Sequence, residues 1–406
     1  MYKNPMQMEP LLPKITNELE DQARNVLARS ATLCGMLPPV TQQALTELLR
    51  IVNSYYSNLI EGHSTHPVEI ERAMREDYSN EPAKRHLQLE SLAHINCQRQ
   101  IDKLLEANPA VNVADSDFLL WVHRIFYEQM PDELRLVKNE ITGEALEVVG
   151  GKLRQNDVQV GRHIGPAWAS LPSFLSRFGE CYQTEKHHGL MPILAVAASH
   201  HRFMWIHPFL DGNGRVARLY TDAAFRKIPL LGYGLWNVSR GLARSRDDYM
   251  AALSWADASR RNDYDGRGPL SNEGLTHFCR FFLSVCLDQI GYMDELLRLD
   301  GLLERLRGYV QLRSAKVLPG PAKSARPLKK EAVFMLQEVL LTGEVTRGDL
   351  VRVSGIPERS ARLIIAQLLE EKILVSETPK GSVRMAFPTH LAGFLFPELF
   401  PVQMTT

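Results

Sequence analysis

Residues 206–220 read IHPFLDGNGRVARLY, and two kinds of sequence meet there. Residues 190–206 upstream are nearly all apolar, the pattern of a helix buried on every side. Downstream, 213–227 reads as a further helix. Between them, Gly212 and Gly214 flank Asn213. Glycines tolerate positive φ and let backbone N–H groups converge with no side chain in the way. Such a turn opening a helix is an anion nest, reinforced by the positive helix terminus. Arg215 and Arg218 share one face of that helix, and both can fork onto phosphate oxygens. Asp211 is a hard oxygen ligand suited to a phosphate-bound Mg²⁺. His207, ending the buried helix, is a base suited to neutral pH. Each group alone is ordinary: a turn, a helix end, a solvated pair of arginines. In this order they describe a polyphosphate held beside a base, as phosphoryl or nucleotidyl transfer to a hydroxyl requires.

The remainder reads as mainly α. Helices are expected near 15–35, 41–59, 85–106, 116–128, 172–183, 246–258 and 272–307. The stretch LEVVGGKLRQNDVQVGRHIGPAW (146–168) alternates Val158 and Val160 after two glycines, the signature of a small hairpin. Its GGK is no P-loop, since no Ser or Thr follows. SNLIEG (57–62) ends the second helix with Gly62 as a cap. Glu61 sits where the helix dipole disfavours a carboxylate, so a partner cation is expected.

With 406 residues, two or three domains are expected. Lys+Arg and Asp+Glu both number 47, which argues against a globally basic nucleic-acid coat. The five scattered cysteines lack CxxC spacing, pointing to reduced thiols in a cytoplasmic setting and away from zinc. The cluster SHHRFMWIH (199–207) lacks HExxH, and His201 and His207 are not spaced i, i+4, so a catalytic zinc is not expected. No signal-peptide core opens the chain, and HFCRFFLSVCLDQIGYM is interrupted by Arg280 and Asp288; no membrane span is expected. A Pro- and Lys-rich linker is expected over 311–330, separating a small unit at 331–406. Within that unit, residues 343–375 have helix-turn-helix spacing around Gly355, and TPKGSVRMAF resembles a wing. Arg359, Arg362 and Lys372 could reach DNA phosphates, diluted by Glu358, Glu370 and Glu371; a packing or dimerisation module is an equal reading. The tail HLAGFLFPELFP is expected to pack on the body or a partner.

HPFLDGNGRVAR matches His-x-Phe-x-(Asp/Glu)-Gly-Asn-Gly-Arg-x-x-Arg, the motif of the Fic family, at every specified position, and the chain resembles that family over roughly 40–300. The resemblance implies a Fic helical core at 111–310, with a β-hairpin flap at 148–166 and the motif at 207–218. An N-terminal helical region (1–110) and a C-terminal winged helix-turn-helix domain would flank it. It implies transfer of AMP from ATP to a Ser, Thr or Tyr hydroxyl of a protein target, itself among the candidates. His207 would be the general base, and Asp211 would bind Mg²⁺. Gly212, Asn213, Gly214 and Arg215 would hold the α- and β-phosphates, and Arg218 the γ-phosphate, with Phe209 anchoring the loop. Val160, Gly161 and His163 of the flap would approach nucleotide or target, which the flap pins by strand addition. Tyr249 would lie near the adenine; packing is the competing reading for it and for Asn237. Ser57-x-x-x-Glu61-Gly62 resembles the family's inhibitory motif, whose glutamate pairs with the second arginine, here Arg218; Ser57 would cap or bond locally to hold Glu61. Removal of AMP, the reverse reaction, is permitted by the same glutamate. Homodimerisation is a further expectation from relatives. The alternatives are a DNA-binding regulator whose pocket senses nucleotide, and a phosphoryl transferase like the Doc branch, which alters the Gly-Asn-Gly-Arg core kept here.

Overall fold

The structure, a computed structural model, describes residues 1–138, 145–321 and 326–401. Parts of the expected linker (322–325) and C-terminal unit (402–406) lie outside the described residues. The N-terminal helices are α1 (Asn17–Leu33), α2 (Pro39–Ile60), α3 (Pro67–Ala73) and α4 (Pro82–Ala107). After α5 (Ser116–Tyr127) come two small antiparallel hairpins, β1 (Leu136–Lys138) with β2 (Ala145–Glu147) and β3 (Gln159–Val160) with β4 (His163–Ile164). The helical core continues through α6 (Leu171–Tyr182), α7 (Met191–Ile206), α8 (Asn213–Lys227), α9 (Val238–Arg244), α10 (Arg246–Ala256), α11 (Asn272–Leu297) and α12 (Leu299–Ser314). The C-terminal unit comprises α13 (Ala332–Thr342), β5 (Glu344–Val345), α14 (Arg347–Ser354), α15 (Glu358–Glu370), β6 (Leu374–Val375), β7 (Val383–Met385) and α16 (Thr389–Leu395).

Helix α7 is the centre of the core. Its apolar residues from Ile193 to Ile206, Met204 excepted, are buried, because α6, α8 and α11 pack around it. An all-round apolar helix has no solvent face to offer, so its C-terminal end is placed rigidly. Helix α8 lies beside it and is covered by α4 and α5. The N-terminal segment is also core. Ala167 N–H donates to the Tyr2 carbonyl (2.8 Å), Leu270 N–H to Glu9 (2.9 Å), and the Tyr182 hydroxyl to Leu11 (2.5 Å).

Three expectations are corrected. The helix expected over 272–307 is two, because Arg298 adopts extended backbone (φ −54°, ψ 122°) between α11 and α12. The hairpin expected over 146–168 is shorter: Leu146 and Glu147 belong to β2, and only 159–160 and 163–164 pair across the flap. The expected linker is not free chain. Helix α12 runs to Ser314, and Arg313 makes a buried two-pronged pair with Glu371 (both bonds 2.9 Å) while donating to the Arg326 carbonyl (3.2 Å). Glu371 is therefore interior and does not dilute a basic surface; Arg359 and Lys372 are exposed, and Arg362 donates to Glu358 (2.9 Å).

The C-terminal sheet has the order β5-β7-β6, antiparallel throughout, with β7 against α2. The apolar tail packs on the body. Phe396, Leu399 and Phe400 are buried, and the Pro397 and Glu398 carbonyls accept from the Tyr292 hydroxyl (2.7 Å) and Arg240 (3.0 Å). Among the described residues no helix is long and apolar enough to cross a membrane.

Candidate active site

His207 caps α7 in the left-handed conformation (φ 48°, ψ 60°), its N–H still bonded to the Phe203 carbonyl (3.1 Å). Pro208 follows and cannot continue the helix. The turned-out His207 carbonyl accepts from Arg154 Nε (2.8 Å), while Arg154 N–H donates to the Pro208 carbonyl (3.0 Å). The other Arg154 nitrogens donate to the Asn156 and Pro166 carbonyls at 2.7 and 2.6 Å. One buried guanidinium thus ties both ends of the flap to the histidine. Burial, then the neighbouring His163, lowers the His207 pKa to about 4, so the imidazole is neutral at pH 7.

Phe209 is fully buried and stacks on His123 of α5 (centroids 3.9 Å, planes 10° apart). His123 Nδ1 accepts from Gly151 N–H (2.8 Å), which leaves its Nε2–H to donate to the Asp211 carbonyl (3.2 Å). That neutral tautomer agrees with a pKa lowered to about 4, chiefly by burial. The Asn213 side chain closes the loop on itself: Oδ1 accepts from Phe209 N–H (2.9 Å) and Nδ2 donates to the Phe209 carbonyl (2.8 Å). Asn213 therefore offers an anion its backbone N–H, not its amide. The Tyr127 hydroxyl donates to Asp211 Oδ2 (2.7 Å) and packs under Gly212 (φ 79°), where a Cβ would come within 2.9 Å of the ring.

The nest opens α8, with Gly212 as its left-handed cap. Glu61, from the end of α2, already stands in it. Arg218 Nη2 donates to Glu61 Oε1 (2.6 Å), and a Cβ on Gly214 would overlap that same oxygen. Burial alone would raise the Glu61 pKa; Arg218 and Arg215 outweigh it and hold the carboxyl below its ordinary value. Ser57 does not bond locally to Glu61, as expected of it; its hydroxyl accepts from Arg218 Nε (2.9 Å) and its carbonyl from Arg218 Nη2 (2.9 Å). The reason is register: Ser57 lies one turn back on the same helix face, so it meets the guanidinium first. Arg215, 6% exposed, pairs with Glu90 of α4, and His63 Nδ1 sits 2.7 Å from the other Glu90 oxygen and 3.1 Å from Arg215 Nη2.

On the flap side of His207 lies a cavity of about 360 Å³ lined by Val160, Gly161, His163, Met204, Met250 and Leu253 among others. His163 is spoken for: Nε2 meets the Trp205 carbonyl (2.8 Å) and Nδ1 the Asp257 carboxylate (3.3 Å). Asp257 also holds His201 Nε2 (3.1 Å), whose Nδ1 accepts from Arg202 (2.8 Å), and Arg202 donates to the Pro10 carbonyl at 2.8 and 3.0 Å. Tyr249 does not reach this cavity. It is fully buried, bonded to His200 Nε2 (2.7 Å), and burial raises its pKa. Helix α10 turns Tyr249 inward and presents Met250, Leu253 and Ser254 to the cavity instead. Asn237 is the cap of α9, accepting from Arg240 N–H. A second cavity of about 310 Å³ lies on the other side, against Asp211, Arg215, Glu90 and His63.

The structure brings together His207, Asp211, the 212–215 turn, Arg215, Arg218, Glu61, Ser57 and the flap. Arg154, Tyr127, His123 and Glu90 are additions; only Arg154, inside the flap sequence, carried any local signal.

A buried helix ending in a left-handed histidine, followed by a glycine-rich turn and two arginines, defines an anion-binding type of site on a helical scaffold. Residues 114–224 match the model of the Fic/DOC family, and the chain carries a Fic domain there. It is 37% identical over 96 residues to the protein adenylyltransferase Fic of Drosophila mojavensis, a match covering 24% of this chain and 19% of that one. Against the Drosophila sechellia protein of the same name it is 38% identical over 82 residues, 20% and 17% of the two chains. The match thus spans less than a fifth of either relative. Among solved structures, a Fic family protein from Desulfovibrio desulfuricans G20 aligns with TM-score 0.49 and 17% identity over 92% of this chain and 97% of that one.

Proposed function

We propose that the chain is a protein adenylyltransferase that moves AMP from ATP to a Ser, Thr or Tyr hydroxyl, and that Glu61 restrains it. The observation that carries this is a His207 imidazole held neutral at the end of α7, with the protein's own Glu61 carboxylate on Arg218 and against Gly214 at the start of α8. A carboxylate and a phosphate oxygen ask for the same donors, so the nest that takes one takes the other.

In the proposed step His207 accepts the proton of the target hydroxyl. The hydroxyl oxygen bonds to the α-phosphorus, and the bond from that phosphorus to the α,β-bridging oxygen breaks. Pyrophosphate leaves with the electron pair, held by Arg215 and Arg218. A base lowered to about 4 is weak, but polyphosphate entering the nest adds negative charge nearby and raises it toward neutrality. Asp211 is the residue to hold Mg²⁺. It is a single hard carboxylate beside a phosphate nest, with one oxygen fixed by Tyr127, and that donor set suits an ion that takes its other ligands from phosphate and water. When bound, the ion neutralises charge on the phosphates. Val160 and Ile164 of the flap are 49% and 45% exposed, an apolar strand pair available to an extended target segment.

The test is to incubate the Glu61→Gly protein with α-labelled and, separately, γ-labelled ATP. AMP transfer puts label on protein from the α position only. Label from γ only would mean kinase chemistry and would overturn the proposal.

A further inference from the structure

Glu61 accounts for Arg218 but not for Arg215. The Arg215 guanidinium is engaged by a different carboxylate from a different helix, Glu90 of α4, itself 4% exposed. The other Glu90 oxygen meets His63 Nδ1 at 2.7 Å, and His63 follows Glu61 by two positions on the turn after α2. Arg215 Nε is buried with no hydrogen-bond partner, and the guanidinium carbon lies 5.7 Å from the Phe126 ring centroid. The cation therefore has unsatisfied donor capacity, while its one strong anionic contact draws it toward α4. The charged groups around it are Glu90, Glu61, Asp211 and His63.

Building on the reading of the nest as a polyphosphate site, we propose that Glu90 is a specificity-determining residue of that site. It claims Arg215 as Glu61 claims Arg218, so a ligand must bring enough negative charge to draw both arginines. Relief of Glu61 alone then leaves the site half restrained. His63 links the two restraints: it is on the Glu61 turn and holds Glu90 in place, so displacement of that turn loosens both. The cavity of about 310 Å³ beside Asp211 is itself lined by Glu90 and gives a released carboxylate room. Adding a nearby anion to a paired arginine costs Coulombic repulsion against the resident carboxylate, which a neutral isostere removes.

The experiment measures Mg²⁺-ATP and Mg²⁺-ADP binding by calorimetry to full-length Glu61→Gly and to Glu61→Gly/Glu90→Gln. The double variant is expected to bind Mg²⁺-ADP about tenfold more tightly, ~1.4 kcal/mol, and Mg²⁺-ATP more tightly by a smaller factor, so that the preference for the more highly charged nucleotide narrows. Its affinity should also fall more steeply with added salt, because one more positive charge faces the ligand; a merely structural effect would not steepen it. If Glu90→Gln does not fold, Glu90→Asp withdraws the carboxylate by one methylene and is expected to act in the same direction. Equal or weaker ATP binding in the double variant overturns the proposal, weaker binding meaning that Glu90 aims Arg215 at phosphate. Failure of Glu61→Gly itself to bind ATP would instead overturn the polyphosphate reading.

Discussion

The Glu61 carboxylate takes the Arg218 guanidinium at 2.6 Å and lies against Gly214 at the start of α8, so close that a Cβ there would overlap its Oε1. It acts as an internal anion in a site built for one. Because Arg218 also donates to the Ser57 hydroxyl and carbonyl, the end of α2 and the start of α8 share a single buried cation.

Gly214→Ala places a methyl on the volume of that anion oxygen, and 3.1 Å from Arg218 Nη1. Alanine is otherwise the better helix residue by about 1 kcal/mol. The expected outcome is a protein that melts near the parent temperature but binds ATP at least about tenfold more weakly than its counterpart in the Glu61→Gly background. Calorimetric titration of the two glutamate-free proteins checks it.

His207→Ala is expected to abolish AMP transfer while ATP binding persists, since the nest is made of other residues. The backbone at 207 is left-handed, a conformation alanine adopts at a cost of roughly 1–2 kcal/mol and asparagine at less. His207→Asn should therefore be equally inactive yet melt higher than His207→Ala. Parallel label-incorporation and melting measurements separate the two effects.

Arg154→Ala removes the donor to three carbonyls, those of His207, Asn156 and Pro166. Unsatisfied buried carbonyls and a lost side chain should cost about 2–4 kcal/mol. The amides of 156–166 should exchange hydrogen faster than in the parent, and transfer should fall although no phosphate contact is touched. Unchanged exchange in the flap would show that the guanidinium is not its anchor.

Seven histidines share one sign. Burial lowers His94 and His200 to about 3, His123, His207 and His390 to about 4, and His201 and His277 in the same direction. Unfolding returns each toward its ordinary value of about 6.5, so below that pH the unfolded chain binds more protons than the folded one. Stability is present in full above about 6.5 and drains away as pH falls toward 4. Melting at a series of pH values should show Tm dropping by roughly 10 °C or more across that window.

Much of this was legible in sequence, for reasons that differ by element. Helix α8 was read from 213 to 227 and is found at Asn213–Lys227, because Gly212 supplies a left-handed start. Phe209, expected from the family resemblance to anchor the loop, is fully buried. The break at Arg298 was invisible: apolar spacing continues on both sides and no Gly or Pro marks it. Glu90 was invisible for a different reason, since a glutamate within a helical run reads as a solvated face unless its distant partner is known. Tyr249 was read two ways, near the adenine or packed, because the stretch between α8 and α10 is long; its side chain is fully buried and bonded to His200. Arg154 shows the remaining limit: its place in the flap was plain, but a guanidinium serving carbonyls rather than carboxylates leaves no charge pattern to read.

Pro10 is far from any phosphate, yet its carbonyl is what the buried Arg202 holds, and from Arg202 contacts run through His201 and Asp257 to His163 in the flap. A proteolytic cut or a bulky fusion that pulled this segment away would strip the acceptor from two of the three guanidinium nitrogens of Arg202 and leave that buried cation to His201 and the Ala256 carbonyl. The flap would be the first element to feel it, so a nicked protein would keep its α8 end intact while the strand pair beside His207 loosened.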